Sequence, residues 1–225
     1  MRAPISVIIP TLNAEASLAP CLGALGEGLA AGLLRELVVS DGGSEDGTAA
    51  LAEAAGAILL SGPPSRGGQL RRGAEAAKGD WLLFLHADTQ LALGWAEAVQ
   101  AVLTRPGAYH FRLAFDAASP AARWVAGWAN LRSALFGLPY GDQGLLIDRA
   151  TYDAAGGYPD IPLMEDVALA RALRGKLRAL PATAITSAAK YQHQGWIARG
   201  ARNLGTLLRY FAGADPETLA IRYRR

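Results

Sequence analysis

Four short stretches gather the side chains able to hold a ligand or move a proton. Pro10-Thr11-Leu-Asn13, with Glu15 just beyond, follows one apolar run, and Asp41-Gly-Gly-Ser follows a second. His86-Ala87-Asp88-Thr follows a third, and Glu165-Asp166 opens an apolar-periodic segment. A carboxylate at a strand end, such as Asp41, can accept hydrogen bonds from a ribose or a base, while Asp-Gly is also ordinary turn chemistry. An imidazole and a carboxylate two residues apart, as in His86 and Asp88, face one way on an extended backbone. They can then share a divalent cation that holds a diphosphate; the other reading is that Asp88 caps the next helix. Acids at a helix start suit the helix dipole. One fixed within reach of a hydroxyl can also take its proton as that hydroxyl attacks.

These stretches need a scaffold that brings them together. The apolar runs Ser6–Pro10, Leu34–Ser40, Ala57–Ser61 and Trp81–Leu85 read as strands. Helices are expected between and after them. Asn13 caps one that reaches Gly32, and Ser44 caps one that reaches Gly56. A loop at 62–68 leads to a helix ending at Lys78, and another helix spans Leu93–Leu103. Four strand–helix units predict an α/β fold: a mostly parallel central sheet with helices on both faces. Ligands of such sheets bind at the carboxyl ends of the strands, where the polar stretches fall. The glycine patterns of dinucleotide folds and of phosphate loops are absent.

After Gly107 the alternation changes. Tyr109–Phe115 and Leu145–Ile147 read as strands, and Ala121–Phe136, Met164–Arg174 and Trp196–Phe211 as helices, with short strands up to Ser187. No internal repeat or linker is evident. One domain over 1–225 is expected, with a nucleotide-binding half at 1–107. An acceptor half at 108–225 would end in a basic helix.

The chain has 225 residues, 51% apolar and 19% charged, so it can bury a sizeable core; disorder is excluded. A single cysteine, Cys21, excludes an internal disulfide and a cysteine-built zinc site. The amino terminus lacks the pattern of a signal peptide, and a cytoplasmic location is expected, with attachment to the inner face of a membrane left open. The net charge of +2 conceals an asymmetry: from Arg171 onward there are 11 basic and 2 acidic side chains. Such a tail favours an anionic partner or is simply a solvated face. Trp124, Trp128, Leu131 and Leu135 recur at helical spacing among Arg123 and Arg132. So do Leu204, Leu207, Leu208 and Phe211 among Arg199, Arg202 and Arg209. Both stretches fit a membrane surface or a core-facing helix.

The ordered set Pro10-Thr-Leu-Asn13-Ala-Glu15, Val38-Val-Ser-Asp41-Gly-Gly-Ser, Gly79-Asp-Trp-Leu-Leu-Phe-Leu-His-Ala-Asp88 and Glu165-Asp166 resembles glycosyltransferase family 2. His86-Ala-Asp88-Thr and Tyr140-Gly-Asp142-Gln143 resemble a short bacterial subgroup. The resemblance implies a GT-A fold and an inverting transfer from a nucleoside-diphosphate sugar to an acceptor hydroxyl, assisted by manganese or magnesium. It implies nucleotide-sugar contacts at Pro10, Thr11, Asn13, Glu15, Asp41, Arg66, Gln69, Ala87 and Asp88. It also implies metal binding through Asp88, with His86 in place of the first acid of Asp-x-Asp, and a catalytic base at Asp166 beside Glu165. His193 is a further candidate for the diphosphate or the metal, as in some GT-A enzymes. Tyr140, Asp142 and Gln143 could hydrogen-bond a sugar or acceptor, the bland reading being turn chemistry. The pattern of processive synthases is missing, so a single transfer is expected, to an acceptor that is unknown and lipid-linked or anionic. No nucleic acid partner is expected. A nucleotidyltransferase and a non-catalytic nucleotide-sugar-binding protein are the alternatives.

Overall fold

The structure, a computed structural model, describes residues 3–224. Its first strand, β1 (Ile5–Thr11), is apolar on both sides. Ile5, Val7 and Ile9 enter one core layer and Ile8 the other, as the two-residue period of a strand requires. The chain continues through α1 (Glu15–Ala24), α2 (Gly26–Ala30), β2 (Leu34–Asp41), α3 (Thr48–Ala54), β3 (Ile58–Ser61), α4 (Arg66–Ala76) and β4 (Trp81–Phe84). It then forms β5 (Thr89–Leu91), α5 (Trp95–Gln100), β6 (Ala108–Phe115), α6 (Pro120–Phe136), a 3-10 turn at Gly141–Gln143, and β7 (Leu145–Asp148). Last come α7 (Arg149–Ala154), α8 (Glu165–Ala172), β8 (Leu177–Thr186), α9 (Ala189–Gln194), α10 (Trp196–Phe211) and α11 (Pro216–Arg224).

The strands make one 8-stranded sheet in the order β3-β2-β1-β4-β7-β6-β8-β5. β3, β2, β1 and β4 run parallel, with Thr11 level with Asp41 and Ile8 level with Phe84. Direction reverses where Trp81 pairs with Asp148 and Phe84 with Leu145. β6 runs antiparallel to β7 and parallel to β8, and β5 closes the edge antiparallel to β8. One face packs against α1 and α5 through Leu18, Cys21, Trp95 and Val99. The other packs against α4, α7 and α8 through Leu70, Ala74, Tyr152 and Leu169. Both faces are therefore dry, as a parallel sheet needs.

Local sequence explains the element ends. Ser65 accepts from the amide of Gly68 at the start of α4. Ser119 accepts from Ala122 ahead of Pro120 at the start of α6, and Gly137 ends that helix with φ 61°. Two expected caps are corrected. Asn13 has φ 50° and sends its side chain to the amide of Glu45, and Ala14 precedes α1 without a side-chain cap. Ser44 bonds Asp41, and α3 begins only at Thr48. The helix expected to reach Gly32 breaks at Leu25 into α1 and α2, in a stretch weakened by Gly26 and Gly28. The residues after Asp88 form a strand, so Asp88 caps no helix.

The amino end of α4 abuts the segment before α8. The amide of Gly67 donates to the carbonyl of Ile161 at 3.1 Å. A Cβ at Gly67 would lie 2.0 Å from the carbonyl oxygen of Pro159. Ser65 Oγ also donates to Asp160 Oδ1 at 2.6 Å. This seam joins the first half of the chain to the second, backbone against backbone.

Candidate active site

A crevice of about 770 Å³ opens at the carboxyl ends of β1 and β4 and is walled by α8, α9 and α10. That volume suits a small-molecule ligand. Pro10, Thr11, Asn13, Arg66, Gln69, His86, Ala87, Asp88, Tyr140, Asp142 and Asp166 all line it. Buried Gln69 braces two strand ends, its Nε2 donating to the carbonyls of Thr11 at 2.7 Å and Ser40 at 2.9 Å. The rim beside them is a closed network. Asn13 Oδ1 accepts from the amide of Glu45 at 2.9 Å, Glu15 Oε2 from that of Gly47 at 3.0 Å, and Thr48 Oγ1 from that of Ala14 at 2.8 Å.

Asp41 sits beneath this rim and outside the crevice lining. Its carboxylate accepts from the hydroxyls of Thr11 at 2.8 Å and Ser44 at 2.5 Å and from the amides of Gly43 and Ser44. Burial works against its charge, but these donors hold its pKa below the ordinary carboxylate value. Its visible work is to shape the turn. Glu15 does the same from the exposed side.

His86 and Asp88 stand where the sequence expects a cation. His86 Nε2 is buried with no hydrogen-bond partner. It packs against Gly141, where a Cβ would come within 2.3 Å of that nitrogen. Burial and the charge of Arg66 push the imidazole down to about 4, so it is neutral with a lone pair to offer. Burial opposes the charge on Asp88, yet His86, Lys190 and Arg66 keep its pKa below the usual value. Lys190 Nζ lies 3.5 Å from Asp88 Oδ2. Among the described residues, no three His, Cys, Asp or Glu side chains gather as a metal cluster. A carboxylate and a neutral imidazole fit manganese or magnesium only if the remaining ligands come from a bound diphosphate and water. His193 is exposed and outside the crevice lining.

The two acids diverge at the start of α8. Met164 precedes them with φ 68°, a left-handed conformation costing about 1–2 kcal/mol for a residue with a side chain. Asp166 lines the crevice, its Oδ2 accepting from the amide of Gly141 at 2.8 Å and its Oδ1 from that of Val167 at 2.7 Å. Glu165 is only 1% exposed. Neither of its oxygens has a hydrogen-bond partner, although Arg66 Nη1 lies 3.5 Å from Oε1. Burial pushes its carboxyl up to about 7 against the pull of Arg66.

Asp142, next to Gly141, faces the crevice with Oδ1 buried and unpartnered. Burial, resisted by Arg132, raises it to about 6. The Arg132 guanidinium sits 3.4 Å above the centre of the Tyr140 ring and fixes that ring at the crevice wall. Gln143 lies elsewhere. It is fully buried, accepting from Ser133 Oγ at 2.6 Å and donating to the carbonyl of Phe111 at 3.2 Å. It holds the turn that presents Tyr140 and Asp142, and is not open to a sugar.

The family model described as Glycosyl transferase family 2 matches residues 6–132, more than half of the chain. The chain belongs to glycosyltransferase family 2. A PGL/p-HBAD biosynthesis glycosyltransferase of Mycobacterium bovis is 37% identical over 99 residues, 40% of this chain and 38% of that protein. A glucosyl-3-phosphoglycerate synthase of Mycobacterium tuberculosis is 36% identical over 93 residues, 37% of this chain and 28% of that protein. The matches thus span well under half the length of these curated relatives. Among solved structures, S. aureus TarS 1-349 in complex with UDP-GlcNAc superposes with a TM-score of 0.61 at 14% identity, covering 82% of this chain and 58% of that one. Glucosyl-3-phosphoglycerate synthase from Mycobacterium tuberculosis in complex with Mn2+ and UDP-Glc gives 0.56 at 23% identity, covering 82% and 69%. The fold is GT-A.

The family 2 crevice also holds residues that no motif announces. Lys190 meets Asp88 across 102 residues. Arg199 and Asn203 of α10 and Tyr223 of α11 join the lining, where Arg199 donates to the hydroxyl of Tyr223 at 2.7 Å. Their only trace in the sequence is the excess of basic residues after Arg171.

Proposed function

We propose that this transferase moves a single sugar from a uridine-diphosphate sugar to an acceptor hydroxyl, with inversion at the anomeric carbon. The observation that carries the reading is Asp166. It lines the same crevice as Thr11, Gln69 and Asp88, and two backbone amides hold its carboxylate. The choice of uridine draws on relatives crystallised with UDP-GlcNAc and with UDP-Glc.

The chain's own residues divide the work. Pro10, Thr11, Asn13 and Gln69 bound the nucleoside end of the crevice. Arg66 and Lys190 supply positive charge toward the diphosphate and help the leaving nucleotide depart. Asp88 and His86 would hold a divalent cation, which when bound offsets further charge on the diphosphate. Asp142 and Tyr140 orient a sugar or acceptor hydroxyl. Asp166 removes the acceptor proton during attack, and buried Glu165 supports its position. The basic residues after Arg171 draw in an acceptor that is lipid-linked or anionic.

The test is turnover of UDP-sugars with a panel of phosphorylated and lipid-linked alcohols. Asp166→Asn keeps the shape and cannot take the proton. It should keep UDP binding while kcat falls by about 10²-fold or more, the scale of general-base catalysis. Glu165→Gln should cost less. Full turnover by Asp166→Asn would move the base elsewhere, and a dead Glu165→Gln beside an active Asp166→Asn would exchange the two roles.

A further inference from the structure

Helix α10, which walls the crevice, and α6 beside it carry an apolar surface that the transferase reading does not use. α6 turns Ala122, Val125, Ala126 and Ala129 inward. Its other side presents Trp124, Trp128, Leu131 and Leu135, spaced i, i+4, i+7, i+11, with Trp124 69% and Leu135 66% exposed. α10 packs against α6 and repeats the arrangement. Arg199, Thr206 and Leu207 are buried, so this side of α10 faces the core, one of the two readings its sequence leaves open. Ile197, Leu204, Leu208 and Phe211 remain outside, Ile197 82% and Leu208 59% exposed. Isolated exposed apolar side chains are unremarkable, but two neighbouring stripes of large ones mark an interaction surface.

We infer that this two-helix face seats on an anionic phospholipid surface. Charge identifies the occupant: neither α6 nor α10 contains an acidic residue, and Arg123, Arg202 and Arg209 are exposed on the same two helices. Tryptophan with arginine suits the headgroup boundary, where an apolar ring and a cation are both accommodated. Among the described residues no helix is long and apolar enough to cross a bilayer, so contact would be from one side. The geometry places the reaction near the lipid. The side of α10 opposite its apolar stripe supplies Arg199 and Asn203 to the crevice. The loop after α6 leads directly to Tyr140. This inference does not depend on the identity of the donor or acceptor.

Co-sedimentation with phosphatidylglycerol–phosphatidylcholine vesicles tests it, read together with tryptophan emission. Binding is expected at low salt, with a blue shift as Trp124 and Trp128 enter the headgroup region, and should weaken at high salt. Arg202→Gln with Arg209→Gln should reduce affinity about tenfold or more, and Trp128→Gln with Leu208→Gln by at least as much. All four sites are exposed, and unchanged melting and UDP binding would confirm intact folds. Absence of binding to anionic vesicles at low salt overturns the inference, as does binding that neither double variant alters. A dimer in sedimentation velocity that Trp128→Gln with Leu208→Gln dissociates would give the face to a second copy instead.

Discussion

Glu165 is the side chain most at odds with its surroundings. A carboxylate almost fully buried, with no hydrogen-bond donor on either oxygen, is held only by a guanidinium 3.5 Å away. Its pKa in the fold, about 7, lies above that of an unfolded chain near 4.3. A raised pKa means that the folded state binds the proton more tightly. The associated stability is full below the unfolded value and is lost as pH rises through 7. Glu165→Gln removes this dependence. Its melting temperature should match the wild type near pH 4 and exceed it near pH 8, by the equivalent of a few kcal/mol. Thermal melts across that range check it. Asp41 has the opposite sign. Its lowered pKa stabilises the fold above about pH 4 and is lost on acidification. Asp41→Ala should therefore destabilise at neutral pH by about 1–3 kcal/mol, which urea titration can measure.

At the scale of elements, the rim of the crevice is a loop fastened by side chains from α1, its approach and the start of α3. Asn13, Glu15 and Thr48 bridge β1 to the turn after β2, and Asn13 accepts a left-handed backbone to do so. Asn13→Gly keeps that conformation accessible and removes the bridge. It should leave stability nearly unchanged, raise the KM for the donor severalfold and speed amide exchange over residues 42–47. How legible such elements are in sequence depends on their source of stability. β1, β2, β4, α6 and α10 are set by apolar periodicity, and their expected bounds lie within one or two residues of those observed. Asn13 and Ser44 look like helix caps because their residue types cap helices elsewhere. Partners about 30 positions distant claim both side chains. β5, three residues long, exists through pairing with β8, and a strand of that length has no period to read. Among residues lining the crevice, those on strand ends are legible because the turns there are polar. Lys190 and Tyr223 are not, because only the tertiary fold brings α9 and α11 over the crevice.

The whole molecule is organised about one uninterrupted sheet. The parallel strands that present Thr11 and Asp88 pass into antiparallel strands through the β4–β7 pairing, so the two walls of the crevice share a core. Urea unfolding is therefore expected as a single transition, shifted upward by UDP; a ligand at 100 times its Kd adds about 2.7 kcal/mol. Cation dependence belongs to this scale as well, because Asp88 and Lys190 meet across 102 residues of sequence. Calorimetric titration of UDP with EDTA, magnesium or manganese should give tighter binding with either metal. Equal affinity in all three would transfer the charge-balancing role to Arg66 and Lys190. The seam at Gly67 bears on how such a chain can be recombined. A first half exchanged between relatives at residue 107 would leave α4 facing a foreign segment where Pro159–Ile161 now stands. With backbone touching backbone there, no side-chain adjustment can absorb the mismatch. The interchangeable module is thus discontinuous in sequence, and a chimera that keeps its activity has to inherit 159–161 together with the first half.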